Sequence, residues 1–321
     1  MEAHDLRAIQ VLLAVHDEGG FAAAARRLGV TRAAVSRSIA QLEARLGASL
    51  ARRTTRRVVL TDAALALVGR CAGPIRAMGD ALDAASEQDS GLAGAVRISG
   101  SAAFGRDVLV PTLMAFRTQN PEVTVELTLG DRVEDLVARP IDVAVRIGPL
   151  PDTSVVARSV GQLPLVAVAA PALVEQHGPP RAVDQLAAWP AVVFRVAETG
   201  QRYPWPFEHR GSTVLFAPSS VAFESDSIDA VAELVRRGAG VSVVPRHVVE
   251  ADLASGHLVA LLQNHVAAGP RVSVCYPQRK LMPRRVRALV DHLVRELPAW
   301  CAAGRARTTR SRSPRSGQPS P

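Results

Sequence analysis

Across residues 21–47, FAAAARRLGVTRAAVSRSIAQLEARLG, apolar positions recur at helical spacing in two runs parted by a glycine. In the second run Val35, Ile39, Leu42 and Leu46 follow at steps of four, three and four, one buried stripe of an amphipathic helix. Thr31 stands before it as an N-cap, since its hydroxyl can accept from the orphan amides of the first turn. In the first run Phe21, Ala24, Ala25 and Leu28 form a compact apolar face, and Gly29 supplies the backbone freedom of a sharp turn. The pattern is a helix-turn-helix. Upstream, Leu6, Ile9 and Leu13 mark one face of a further helix. Downstream, ARRTTRRVVLT (51–61) reads as a turn and a short β-rich arm, so the unit is a winged helix-turn-helix.

The pattern then changes twice. Over residues 62–90, Val68, Cys71, Ile75, Met78 and Leu82 recur at steps of three, four, three and four, the a/d seam of a coiled-coil helix that would pair two chains. A helix packed on its own domain fits the same stripe. Pro74 removes the backbone bond to Arg70, which costs roughly 3 kcal/mol inside a helix, so a kink is expected near Gly73. From residue 92 strands and helices alternate: AVRIS (95–99), VTVELTL (123–129) and IDVAVRI (141–147) are strands, with DVLVPTLMAFRTQ and RVEDLVA as helices between them. This β-α-β-α-β order is that of a doubly wound sheet. A second series holds LPLVAVAA (163–170), AVVF (191–194), TVLF (213–216), the helix SIDAVAELVRR (227–237) and GVSVVP (240–245). RVSVCYP (271–277) and RRVRALVDHLVREL (284–297) return to the first lobe. The expected organisation is therefore a winged helix-turn-helix over 1–61, a linker helix over 62–91, and a two-lobed α/β domain over 92–303. Its first lobe covers about 92–162 and 268–303, its second about 163–267.

Charge adds a polyanion to the picture. The chain of 321 residues carries a formal charge of +8. Residues 1–61 hold ten arginines against five acids, and residues 304–321 add five arginines and no acid. Basicity thus sits at the two ends, where a nucleic acid would dock, and the slightly acidic middle need not touch one. On the second helix of the helix-turn-helix the exposed face is Arg32, Ala33, Ser36, Arg37 and Ala40. Small residues there permit close approach to a groove floor, while arginines reach guanine edges or phosphates. A solvated basic face is the plainer reading of that stretch taken alone. Arg52, Arg53, Arg56 and Arg57 cluster on the wing, suited to phosphates beside a minor groove.

These residues resemble the DNA-binding end of LysR-type transcriptional regulators. The family's run of motifs is met by Ala24, Ala25, Leu28, Ala34, Val35, Ser36, Arg37, Ile39, Leu42, Glu43, Leu46, Gly47, Arg53, Thr54, Thr55, Arg56, Leu60 and Thr61. Arg32 stands where the family usually has glutamine, Ala33 where it often has proline, and Ala51 where it usually has phenylalanine. The likeness continues through GLAGAVRISGSAAFGRDVLVP, LGDRVEDLV, IDVAVRIGPLPDTSVVARSVG and RGAGVSVVPRHVVEADLASGHLVALL, which are similar to the family's effector domain, itself built like periplasmic solute-binding proteins. The resemblance implies double-stranded DNA as partner, read as an interrupted palindrome by a homodimer, and homotetramers by the family's habit. It also implies an inter-lobe cleft lined by Ser99, Ser101, Ala102, Ala103, Leu129, Gly130, Asp131, Arg146, Ser225 and Asp226. Helix-start amides and an arginine favour a small polar or carboxylate effector. Arg146 as an ion-pair partner of Asp142 or Asp131, and Ser99 as a mere helix cap, remain open alternatives.

Other classes fare worse. No GxSxG, Walker or HExxH string occurs, and GSAAFG (100–105) lacks the GxGxxG order, so neither an enzyme nor a nucleotide site is read, and no cofactor. Cys71, Cys275 and Cys301 are odd in number and widely spaced, which supports neither a disulfide framework nor a zinc site. Cys275 in its apolar strand reads as inert packing ahead of redox sensing. No apolar run reaches the length of a membrane span, and the N-terminus lacks signal-peptide character, so a cytoplasmic protein is expected. A solute-binding protein would need a signal peptide and no DNA-binding head; an architectural DNA binder would not need the two-lobed half. The tail GRARTTRSRSPRSGQPSP is low in complexity and expected to be disordered, whether as a phosphate-attracting arm or as a neutral extension.

Overall fold

The computed structural model describes residues 3–53, 58–86, 92–130, 141–150, 155–197, 199–278 and 282–306. The chain separates into two compact units, one centred on residues 1–91 and the other on the residues that follow.

The first unit holds α1 (Ala3–Asp17), α2 (Phe21–Arg27), α3 (Arg32–Leu46), β1 (Ala51–Arg53), β2 (Val58–Leu60) and α4 (Asp62–Ser86). Its core gathers Phe21, Ala24 and Ala25 from α2, Val35, Ile39 and Leu42 from α3, and Val11, Leu12 and Val15 from α1. Ala64 and Val68 of α4 complete it, so Val68, read above as a seam position, is buried in the head's own core. The Ala34 N–H donates to Thr31 Oγ1 at 3.2 Å, closing the α3 N-terminus as its sequence requires. Gly47 ends the helix in a left-handed conformation at φ 65°, which a side chain would resist. Because α3 stops there, Leu46 falls beyond the packed turns and is 47% exposed, and Leu28 at the end of α2 is exposed as well. Likewise Leu6, Ile9 and Leu13 are only half-buried, and the inner face of α1 is Ala8, Val11, Leu12 and Val15. β1 and β2 form a two-stranded antiparallel wing with Arg52 opposite Val59. α4 runs unbroken through Pro74 from Asp62 to Ser86. Along it Cys71 and Ile75 are half-buried and Met78 is exposed, while the side chain of Leu82 lies outside the described residues.

The second unit begins with β3 (Gly94–Gly100), α5 (Ala102–Phe104), a π-helical turn over Gly105–Leu109, α6 (Val110–Gln119), β4 (Val123–Leu129), β5 (Val143–Ile147) and β6 (Val155–Gln162). There follow β7 (Leu165–Ala169), α7 (Pro171–His177), β8 (Ala191–Phe194), β9 (Trp205–His209), β10 (Ser212–Phe216), β11 (Val221–Ser225), α8 (Ile228–Arg236), β12 (Ser242–Pro245), α9 (Glu250–Ser255), β13 (Val259–Leu261), β14 (Arg271–Pro277) and α10 (Arg284–Ala306). One sheet has the order β4-β3-β5-β14-β6. β3 is parallel to β4 and β5, and β14 runs antiparallel to β5 and β6. The predicted helix RVEDLVA lies outside the described residues. Cys275 lies on β14, an inner strand of this sheet, fully buried, paired with Ala144 on one side and Ala157 on the other.

In the second lobe β7, every residue of which is buried, lies between β12 and β13. β8 pairs in parallel with β11, and a bridge from Ala191 to Val241 joins β8 to the start of β12. The approach there is close: a Cβ at Gly240 would lie 2.4 Å from the Pro190 carbonyl oxygen, so only glycine fits. α8 buries Val231, Ala232 and Val235 against this layer, its first turn capped by Ser227 Oγ. TVLF is not a member of the central layer. It forms a hairpin with the unpredicted β9, turned by Arg210 (φ 50°) and Gly211 (φ 78°), a two-residue loop whose positive φ values suit the strand twist. β6, β11 and β13 are further strands that the apolar pattern did not announce. The two lobes are joined at adjacent crossings, where the Leu163 N–H donates to Pro270 O at 2.9 Å.

Candidate nucleic-acid interface and ligand cleft

On α3 the side away from the core carries Arg32, Ala33 and Arg37, all exposed, with Ser36 half-buried between them. Val35, Ile39 and Leu42 hold this face in place by filling the core behind it. Among the described residues, the acids of α1 and its following turn are already engaged. Asp17 and Glu18 each lie 3.3 Å from Arg27 Nη1, and Asp5 pairs with Arg45. Arg26, Arg32, Arg37 and Arg52 are exposed and make no ion pair among the described residues. The head therefore presents an uncompensated positive surface built around a helix with small side chains, the electrostatic footprint of a phosphate-backbone partner. Arg53 is in β1, though its side chain, like all of Arg56, lies outside the described residues. Glu43, named above only as a match to the family's motif, is half-buried on α3, and its Oε1 accepts from the Leu50 and Ala51 amides at 2.7 and 3.0 Å.

In the second unit, Ser99 and Gly100 end β3 with Ser101 just after it, Leu129 ends β4 with Gly130 just after it, and Arg146 stands near the end of β5. These three parallel strands adjoin in the sheet, so the predicted residues gather along one carboxyl edge, where α/β folds bind ligands. The Gly130 N–H donates to Gly100 O at 3.0 Å, and Arg146 lies opposite Ser273 of β14. Ser99 Oγ is buried without a hydrogen-bond partner among the described residues. Ala102 is half-buried, whereas Ala103 is buried among Val166, Val192 and Val231 of the second lobe and serves packing. Ser225 ends β11, with its Oγ accepting from the Ser227 amide at 3.1 Å, and Asp226 is exposed 3.9 Å from Arg195. Asp131 lies outside the described residues.

The lobes meet beside this edge through groups no sequence spacing announced. Arg106 Nη1 donates to Asp229 at 3.0 Å, and His247 Nδ1 lies 3.0 Å from Asp107 Oδ2, contacts that span 123 and 140 residues. Phe104 and Trp300 close edge-on around the His247 ring, whose Nε2 is buried without a partner among the described residues. Burial pushes His247 below its usual value, against the raising pull of Asp107. Burial would raise the Asp107 carboxyl, yet the Arg106 guanidinium and the His247 ring bonded to it bring it below the usual carboxylate range. Burial raises the Cys275 thiol to about 11, which removes the thiolate a redox sensor needs. An open cavity of about 430 Å³ lies nearby between Gly148, Pro149, Ser159, Arg271 and Ser273; none of the predicted effector residues lines it.

Residues 6–65 match the family model of the bacterial regulatory helix-turn-helix protein, lysR family, and residues 89–298 match that of the LysR substrate binding domain. The chain belongs to the LysR family of transcriptional regulators. This LysR-type regulator is 30% identical over 296 residues to an HTH-type transcriptional regulator of Xanthomonas campestris pv. campestris, covering 92% of this chain and 86% of that one. It is 32% identical to the HTH-type transcriptional regulator PtxR of Pseudomonas aeruginosa, over 90% of this chain and 92% of that one. In fold it is similar to the full-length Vibrio cholerae virulence activator AphB, at TM-score 0.58 and 23% identity over 92% of this chain and 99% of that one. CrgA, a LysR-type transcriptional regulator from Neisseria meningitidis, gives TM-score 0.55 and 26% identity over 91% and 98%. The regulator thus combines a DNA-binding helix-turn-helix unit with an effector-binding unit. Among the described residues no helix is long and apolar enough to cross a membrane.

Proposed function

We propose that the chain acts in the cytoplasm as a homodimer, or a pair of homodimers, that reads an interrupted palindrome in double-stranded DNA under the control of a small polar or carboxylate effector, and that it catalyses no reaction. Residues 1–61 bind DNA, 62–91 pair two chains, and 92–303 take the effector. In each head Thr31, Arg32, Ala33, Ser36 and Arg37 enter the major groove, and Arg52, Arg53 and Arg56 lie on the flanking backbone. Cys71, Ile75, Met78 and Leu82 form the pairing seam, which begins beyond Val68. Ser99, Ser101, Ala102, Leu129, Gly130, Asp131, Arg146, Ser225 and Asp226 surround the effector, while Ala103 serves packing. The observation that carries this reading is the exposed α3 face, on which Arg32 and Arg37 flank small residues with no ion pair among the described residues.

Arg32 opens α3, near enough to a base edge to hold a guanine through O6 and N7. Replacing it by alanine is expected to cost roughly 1 to 3 kcal/mol on the best site and to relax preference at one symmetric pair of positions, whereas Arg52→Ala weakens all sequences alike. Selection of bound duplexes from a random pool with wild type and both variants tests this. An unchanged motif with Arg32→Ala sinks base reading by that residue.

A further inference from the structure

A carboxylate inside a surface that meets a polyanion is electrostatically adverse, so its retention asks for a function. Asp5, Asp17 and Glu18 answer by pairing with arginines. Glu43 instead spends one oxygen on main-chain amides. Its Oε1 accepts from the Leu50 N–H at 2.7 Å and the Ala51 N–H at 3.0 Å, and the Ser49 hydroxyl lies 3.4 Å away. Those two amides enter the wing: Leu50 is fully buried, and Ala51 is the first residue of β1, one before Arg52. The far end of the wing is held too. Thr61, just after β2, donates its hydroxyl to Ser49 O at 2.7 Å, and Thr61 Oγ1 in turn accepts from the Ala64 amide at 3.3 Å, capping α4. A two-stranded ribbon is marginal by itself in water, so β1 and β2 need such anchors to keep one orientation. Two N–H bonds converging on one acceptor oxygen fix direction as well as distance.

We propose that Glu43 is the positioning residue of the wing: its single carboxylate oxygen locks the entry of β1 onto the last turns of α3, and so sets where Arg52 stands relative to Arg32 and Arg37. Base reading by α3 and backbone contact by the wing are thereby held in one register, with Thr61 passing the same register on to α4. The inference rests on the wing meeting the DNA backbone, as proposed above.

The test uses the full-length chain with Glu43→Gln, Glu43→Leu and Arg52→Ala. Hydrogen exchange of peptides covering residues 47–53 is read in the free protein. Affinity and its salt dependence are read on a duplex carrying the sequence that the wild-type chain enriches from a random pool. Glu43→Leu removes the acceptor, so the Leu50 and Ala51 amides should exchange about tenfold faster or more, and duplex affinity should fall about tenfold with a salt slope shallower by about one phosphate contact. Glu43→Gln keeps an oxygen in place and should stay within about threefold of wild type on both measures. Unchanged exchange in Glu43→Leu overturns the proposal. So does Glu43→Gln failing as badly as Glu43→Leu, because the charge and not the acceptor would then matter. If Glu43→Leu unfolds the head by circular dichroism, Glu43→Asp, one methylene short of the amides, replaces it with the same expected and overturning results. Wild-type binding and salt slope in Arg52→Ala, alongside faster exchange in Glu43→Leu, would sink phosphate contact by the wing and leave the clamp standing.

Discussion

His247 shows how one side chain ties conformation to proton concentration. With Nδ1 against Asp107 the neutral ring leaves Nε2 as a bare buried acceptor, and a second proton would put an N–H where nothing receives it. Its value is depressed in the folded protein, so the folded state refuses a proton that the unfolded chain takes up near pH 6.5. The associated stability is present above about pH 6.5 and drains as pH falls below it. Asp107, also depressed, adds stability that survives above about pH 4 and goes as pH falls through its folded value. Urea unfolding of wild type and His247→Phe at pH 7.5 and 5.5 checks the first effect: the variant should lose less stability on acidification, and equal losses would discount the ring. A second residue-scale expectation concerns Ile39, buried in the head behind the recognition face. Ile39→Ala should cost about 2 to 5 kcal/mol in the same measurement and abolish DNA binding through lost folding. Of these two residues only Ile39 was legible beforehand, because its neighbours in the stripe are three and four residues away. The His247 to Asp107 contact spans 140 residues, a distance over which no periodicity carries information.

Among the elements, those with one strongly apolar face announced themselves. α3, α8 and β7 follow from their spacing, and Ser227 Oγ accepts from the Ala230 amide in the first turn of α8 at 3.4 Å. Ser227→Ala should cost about 1 kcal/mol, and a loss below a few tenths would show that the cap contributes little. β11 and β6 went unread because polar and exposed positions interrupt their alternation, as in ARS of VVARSVGQ. The β9 and β10 hairpin escaped because its turn is Arg-Gly, not Asn-Gly, and the sequence alone does not show that an arginine accepts φ 50°. Helix ends were also hidden: a periodic stripe does not reveal that α3 stops at Leu46 and leaves that leucine in solvent. On α4 the stripe has two uses, since Val68 serves the head's own core while Met78, two turns or more further on, is exposed. Glutamates at Ile75 and Met78 should therefore give monomers without unfolding the head. Sedimentation at micromolar concentration that finds the wild type already monomeric would remove the pairing reading.

At the scale of the whole molecule, binding and sensing occupy separate compact units, so an effector-site change should alter ligand response and spare operator affinity. Arg146→Ala tests this by transcription with and without inducer beside a duplex titration; an unchanged response would return Arg146 to a purely structural position. The placement of Cys275 has a consequence for how the sensing unit can be watched. It is fully buried on β14, an inner strand of a five-stranded sheet flanked by β5 and β6, and burial holds its thiol at about 11. An alkylating reagent can reach it only in molecules whose sheet has come apart, whereas the half-buried Cys71 is within reach of the native chain. The labelling rate at Cys275 is therefore a clock for the rare opening of that sheet, and an effector that holds the lobes together should slow the clock in proportion to its occupancy.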